Sequence, residues 1–505
     1  MSSAPAAPPA PPNPGAAGSI ESGGLGGHPR GLTTLFFSEL WERFSYYGMR
    51  ALLTLFMVAG ADAGGLGYDK KTAAAIYGNY TMSVYMLSIV GGFIADNFIG
   101  ARRSVLIGGC IIACGHFSMA FSSEATFFAG LVLVALGTGL LKPNISTMVG
   151  SLYRPDDERR DAGFSIFYMG INLGAFAAPL VTGWLAQSAE FRAMLAGWGM
   201  DPLHSWHWGF GAAGVGMTIG LIVYVLTGER LAHVGLGPPA DATRPWGKLA
   251  LVVIATAALM GVMMLADQYP SVVYGLFAVQ IAAVFYFAFK PDADSKRIAA
   301  ILVFFIAAEI FWAIFEQAGS TISLFGDQLT RTQIFGWNFP SAWFQSVNSL
   351  WVIILAPGFA WLWIKLGRNQ PSSPFKFMLA LVFLGLSFVL MVPAAKLTAE
   401  GKVSPLWIVG LFFLQTLGEM CLSPVGLSTM TKLAPQRLLG LMMGIWFLAT
   451  ALGNKLAGVL AGHFESKDAS VLADFFFKQA IWVGVATLVL LALIPWVKRL
   501  MGGVR

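Results

Sequence analysis

Charge is what this chain has least of. Asp, Glu, Lys and Arg make up 11% of its 505 residues, against roughly 25% in a soluble domain. So little charge cannot clothe several soluble domains of that total length, and repeated apolar stretches point instead to one polytopic membrane bundle. The net charge of +6 carries no nucleic-acid signal, because the basic residues are spread over loops between apolar runs; no nucleic-acid partner is expected. Cysteine is scarcer still. Cys110, Cys114 and Cys421 all lie in apolar segments, and Cys110 and Cys114 share a helix face. No second Cys pair completes a metal site, so all three are expected to be small core residues and no metal or cofactor is expected. Neither a His-Glu-x-x-His pattern nor a Gly-x-Ser-x-Gly elbow occurs, and nothing points to an enzyme.

What the chain has in abundance is apolar residue, 56% of the total. The first 30 residues, rich in Ala, Pro, Gly and Ser, lack the charged and apolar regions of a signal peptide and read as a disordered cytoplasmic tail. About fourteen spans follow. Six are Leu32–Gly60, Thr72–Ala95, Arg103–Phe121, Thr126–Tyr153, Ala162–Gln187 and Trp206–Thr227. Lys248–Ala266 and Pro270–Phe289 form a tight extra pair. The last six are Ile298–Ala318, Ala342–Lys365, Phe377–Ala395, Leu406–Lys432, Leu439–His463 and Phe475–Val497. The expected organisation is an N-terminal six-helix bundle over residues 31–228, a linker with two additional helices over 229–295, a C-terminal six-helix bundle over 296–500 and a short tail, 501–505. A 6 + 2 + 6 layout suggests two pseudo-symmetric bundles with a cavity between them. The extra pair, with no charge well inside its spans, is expected to be peripheral. If the N-terminus is cytoplasmic, the inside loops hold about twenty Lys and Arg and the outside loops about eight, which satisfies the positive-inside rule with both termini cytoplasmic.

The few charges inside spans are then informative. In the first span, Glu39, Glu42, Arg43, Tyr46, Tyr47 and Arg50 fall on one side of the helix. Each charge in hydrocarbon costs roughly 2.5–3.5 kcal/mol or more, so the stripe must face a protein interior or a watery cavity. A structural ion-pair ladder is the bland alternative to a transport pathway. Lys142, followed by Pro143, lies mid-span in the first half; Glu309, Glu316, Glu419 and Lys455 lie in the second. Cations thus cluster in the first half while carboxylates divide between the halves. A cavity between them is bipolar and suits a zwitterion, with a carboxylate near Arg43 and Lys142 and an amine near Glu419. Glu309 is placed toward the inner end of its helix, and Lys455 is expected to snorkel toward the outer end of its own. Tyr46, Tyr47, Tyr85, Tyr168, Trp312, Phe315 and Trp446 interleave with these charges.

These residues carry a resemblance. Glu39-x-x-Glu42-Arg43-Phe44-x-Tyr46-Tyr47-Gly48 is similar to the first-helix signature of the proton-dependent oligopeptide transporter family, within the major facilitator superfamily. Gly91 to Arg103 and Phe167-Tyr168-Met169-Gly170-Ile171-Asn172-Leu173-Gly174 agree with it, as do the segments around Glu316, Glu419 and Trp446. The resemblance implies an all-α protein of two six-helix bundles that imports di- and tripeptides with protons. It implies that Arg43, Tyr47 and Lys142 hold the peptide carboxylate, and that Asn172, Asn348 and Glu419 hold its amino terminus. Tyr46, Tyr85, Trp312 and Trp446 would line side-chain pockets, and Glu39, Glu42, Arg43 and Glu316 would serve proton coupling. Arg50 counts both with the binding wall and, paired to Glu316, as an outer gate; Lys142 with Glu419 would form the inner gate. No histidine occurs in the second span, where animal relatives place one, so the relay would rest on carboxylates. The lack of a large domain between the ninth and tenth core spans points to a bacterial inner membrane. The expected partners are peptides, protons and membrane lipids, and the unit is expected to act as a monomer. A facilitator for nitrate, an amino acid or a drug is the alternative, against which Glu419 argues.

Overall fold

The helix boundaries follow the apolar runs closely. A computed structural model describes residues 23–154, 157, 159–231, 234–239, 241–334, 336–434, 439–465 and 467–503. Most of the expected N-terminal tail and residues 504–505 therefore lie outside the described residues. The first set of helices is α1 (Arg30–Val58), α2 (Lys70–Ile94), α3 (Ala101–Met119), α4 (Glu124–Ser151), α5 (Arg160–Gln187), the short α6 (Ala189–Gly197) and α7 (Ser205–Leu226). The extra pair is α8 (Trp246–Met264) and α9 (Pro270–Ala288). The second set is α10 (Ala293–Phe315), the short α11 (Thr321–Gln328), α12 (Gln345–Leu366), α13 (Ser373–Leu397), α14 (Leu406–Leu433), α15 (Leu439–Ala461) and α16 (Ala469–Leu500). Among the described residues, twelve of the helical spans are long and apolar enough to cross a membrane by length and composition alone. The two others of spanning length are α1, which holds the buried charges, and α3, which opens on Arg102 and Arg103. The sequence did not announce α6, α11 or a two-stranded hairpin, β1 (Gln333–Ile334) with β2 (Trp337–Asn338), in which Gln333 faces Asn338 and Ile334 faces Trp337.

Glycine, rather than bulk, brings the helices together. A Cβ on Gly115 would stand 2.8 Å from the Gly130 carbonyl, and one on Gly137 2.5 Å from the Gly108 carbonyl, so α3 and α4 meet backbone to backbone. Such small-residue seams are how helices associate where lipid removes the hydrophobic drive between them. That seam turns Cys110 and Cys114 outward. Both are exposed, and only Cys421 is buried, so the expectation of three core cysteines is corrected for two.

α1 packs on α5 and α7, α3 on α4 and α7, and α2 on α4; in the second set α10 packs on α15, and α13 on α14 and α16. The two sets meet where α2 touches α15 and where α5 touches α12. We call the end that carries the start of α1 and the end of α16 proximal, and the opposite end distal. Among the described residues, the hydrogen bonds across the seam sit at the distal end. Thr54 donates to the Gly319 carbonyl (2.7 Å), the Ala342 amide to the Gln187 side-chain oxygen (3.0 Å), Trp343 to the Leu180 carbonyl (3.1 Å) and Ser346 to the Phe176 carbonyl (2.7 Å).

Candidate functional site

The charged stripe of α1 is buried against protein. Glu39, Glu42, Arg43, Tyr46 and Arg50 are all at most 8% exposed, which a helix can sustain in a membrane only by pairing its charges internally. Arg43 Nε meets Glu39 Oε1 at 3.0 Å and forms a shorter contact with Glu42 Oε2. Each carboxylate keeps one buried oxygen, and Arg43 keeps Nη2, without a protein partner. Two turns further on, Arg50 donates from Nε to the Tyr77 hydroxyl (2.6 Å) and pairs through Nη2 with Glu316 of the second set. Arg50 and Glu316, expected to pair, are in contact. The tyrosines act as facing for the cations: Arg43 lies 5.3 Å from the centre of the Tyr46 ring, and Arg50 5.8 Å from that of Tyr47 and 5.6 Å from that of Tyr77. Tyr46 and Tyr47 meet edge to face at 5.3 Å.

The opposing wall comes from α10, α12 and α14. Asn348 donates from Nδ2 to Glu419 Oε2 (3.2 Å) and to the Thr416 hydroxyl (3.0 Å). Trp312, on α10, has a buried indole N–H with no protein partner, and its ring stands edge-on to Phe311 and Phe315. Tyr47 touches this arrangement through Arg50, which is itself paired with Glu316. Lys142 sits 3.8 Å from the centre of the Tyr85 ring, within the fields of Arg43, Glu42 and Glu39. The first set thus brings Arg43, Arg50 and Lys142 together with Glu39 and Glu42, and the second brings Glu316 and Glu419.

The remaining expected residues fall as follows. Asn172 is buried on α5 and donates to the Tyr168 carbonyl one turn back (2.9 Å). Trp446 is buried against Phe377 at 6.2 Å and lies over Gly426, within the second set. Lys142 and Glu419 do not meet: the amine rests on Tyr85 and the carboxylate on Asn348. Two expectations are corrected. Glu309 is wholly buried well inside α10, where it accepts from Gln280 of α9 (2.8 Å). Lys455 does not snorkel; it is wholly buried and bonded to Asn79 and Asp267, both at 2.5 Å.

With that geometry in place, the family model described as the POT family matches residues 102–483. The chain belongs to the POT family. A POT peptide transporter of known structure, a variant in complex with alafosfalin, superposes with a TM-score of 0.82 at 41% identity, covering 95% of this chain and 98% of its own. The peptide transporter YePEPT of Yersinia enterocolitica is 40% identical over 503 residues, 94% of this chain and 96% of that one. A di-/tripeptide transporter of Lactococcus lactis subsp. cremoris is 36% identical over 505 residues, 95% of this chain and 98% of that one. These are membrane transporters and not enzymes, and this POT chain is a multi-pass, all-α protein of the same architecture. Sequence reading missed Tyr77 in its site. The signal was available, because Tyr77 stands eight residues before Tyr85 on α2 and so shares its face.

Proposed function

We propose that the protein is a proton-coupled symporter that imports di- and tripeptides by alternating access of two six-helix bundles. It acts as a monomer in a bacterial inner membrane with both termini cytoplasmic, and residues 31–228, 229–295 and 296–500 are its three parts. The observation that carries this reading is the bipolar seam. Arg43 Nη2 is buried without a protein partner, Lys142 rests on Tyr85, and on the second set Asn348 orients Glu419. A zwitterionic peptide spans such walls, its carboxylate taken by Arg43, Tyr47 and Lys142 and its ammonium by Asn172, Asn348 and Glu419. The aromatic faces of Tyr46, Tyr85, Trp312 and Trp446 accept varied side chains, because ring surfaces make few directional demands. Peptide transport by the relatives supports the substrate class.

Coupling follows from the Arg50–Glu316 pair, which holds α1 to the second set at the distal end. Protonating Glu316 removes the charge that retains Arg50, so the distal side opens to peptide and proton. Glu39 and Glu42 poise Arg43 and share its proton traffic. A bound carboxylate at Lys142 sets the proximal side, where Lys142 and Glu419 close on each other in the alternate state. Each event biases a two-state equilibrium by its differential contacts.

Uptake of labelled dialanine into sealed proteoliposomes, with an inward proton gradient and with or without a proton ionophore, tests the whole reading. Accumulation that collapses with the ionophore is expected. No peptide uptake would turn attention to nitrate and amino acids. Glu316→Gln should abolish gradient-driven accumulation and spare counterflow; normal acid-driven accumulation in that variant would sink the coupling role.

A further inference from the structure

The extra helix pair straddles the seam: α8 packs on α2 of the first set and α9 on α10 of the second. Its face toward the second set carries one polar bolt, Gln280 Nε2 donating to Glu309 Oε2 of α10 at 2.8 Å, with Gln280 and Glu309 both buried. The turn between α8 and α9 makes a second polar contact. Asp267 Oδ2 receives Lys455 Nζ of α15 at 2.5 Å and Asn79 Nδ2 of α2 at 3.2 Å. Asn79 Oδ1 accepts from the same Lys455 amine at 2.5 Å, which closes a triangle over three elements. One corner belongs to the first set, one to the second and one to the extra pair.

Lys455 is wholly buried, whereas Asp267 keeps 21% of its side chain exposed. A buried ammonium without a counter-charge is strongly destabilising, and the carboxylate bonded to this one comes from the extra pair, not from either six-helix set. Backbone contact holds the corners in place. A Cβ on Gly78 would stand 2.9 Å from Gly458 Cα, so α2 and α15 touch at the level of the triangle. Asn79 follows Tyr77 by two residues, hence on another side of α2, and Tyr77 bonds Arg50 beside Glu316. At the distal end α2 is therefore gripped twice, by the gate on its inner face and by the triangle on its flank.

We propose that Asn79, Asp267 and Lys455 form a second, lateral lock on the distal seam. The extra pair rides with the second set through Gln280–Glu309 and Asp267–Lys455, so distal opening breaks the two hydrogen bonds of Asn79. This rests on the alternating-access part of the proposed function and goes beyond it by giving the extra pair a working role.

The test reads the seam directly, without peptide or proton. In a background with Cys110, Cys114 and Cys421 replaced by Ala, Thr54→Cys places one thiol in the distal seam, where Thr54 is 1% exposed. The rate of maleimide labelling in lipid nanodiscs then reports opening. Asn79→Ala and Asp267→Asn should each raise the rate about tenfold, a shift of about 1.4 kcal/mol in the equilibrium. The exchange Asp267→Lys with Lys455→Asp should return the rate toward the parent. Asp474→Asn, which breaks the exposed Asp474–Lys478 pair, should leave it unchanged. Glu316→Ala, which breaks the Arg50–Glu316 pair, is the positive control. A raised rate in Glu316→Ala with Asn79→Ala and Asp267→Asn within twofold of the parent would overturn the lock alone. A flat response in all three would overturn alternating access and the lock with it. Should the Asp267 or Lys455 variants not assemble, as thermal unfolding would reveal, Asn79→Ala decides, because it leaves the ion pair intact.

Discussion

α1 and α8 invert the rule of soluble proteins. α1 carries Glu39, Glu42, Arg43 and Arg50 and buries all of them, whereas α8 has no charge after Lys248 and, among its described residues, buries only Thr256 and Met263. Leu251 and Ile254 of α8 stand about two-thirds exposed, at 67% and 66%. The difference teaches which solvent each helix meets. Hydrocarbon accepts the apolar face of α8 outright, while the charges of α1 survive only where they pair with opposite charges of the protein.

Three substitutions break or sharpen that contrast. The largest effect is expected from Arg43→Ala, which leaves Glu39 and Glu42 buried without their shared cation. Breaking such a cluster costs about 3–5 kcal/mol, so a marked fall in melting temperature and loss of dialanine uptake are expected; unchanged melting would mean the carboxylates are held by something else. Next, Ile254→Arg places on α8 what α1 tolerates. With no partner in lipid it should oppose insertion by about 2.5–3.5 kcal/mol, read as a drop in membrane-inserted yield, whereas Ile254→Leu should be silent. The smallest effect belongs to a third environment, water. Asp69 caps α2, accepting from the Thr72 amide (3.0 Å) and hydroxyl (2.6 Å), and these bonds, the hydroxyl's first, hold its carboxyl below the usual range. Asp69→Ala should cost about 1 kcal/mol in thermal unfolding. A depressed carboxyl contributes its stability above the ordinary aspartate pKa and loses it as pH falls through the lowered value. The gap between parent and variant should therefore close in strong acid.

Much of the site was legible because a charge in a long apolar run is anomalous by itself. Glu39, Arg43, Arg50, Glu316 and Glu419 could each be named from hydropathy and helical period alone. The fate of Lys455 could not, because its partners lie on α2 and at the α8–α9 turn, far away in sequence and invisible to any local pattern. Glu309 failed for the same reason, its partner Gln280 belonging to a helix that carries no charge of its own. Cys110 and Cys114 sit on an apolar helix whose packed face is chosen by glycines rather than by the period of apolar residues, so composition could not say which way they point. Lys142 and Glu419 were read as a pair from their signs, yet the conformation that keeps the distal seam bonded holds them apart on Tyr85 and Asn348.

The sequence by itself determined the number and limits of the long helices, the solvent they live in and the stripe of α1, since all of these follow from runs and periods along one segment. Only the tertiary structure decided which charges pair, which wall each aromatic faces and that the extra helices bridge the two sets. Those depend on Coulomb and hydrogen-bond contacts between residues such as Asn79 and Lys455, 376 positions apart, and only packing brings such residues within reach.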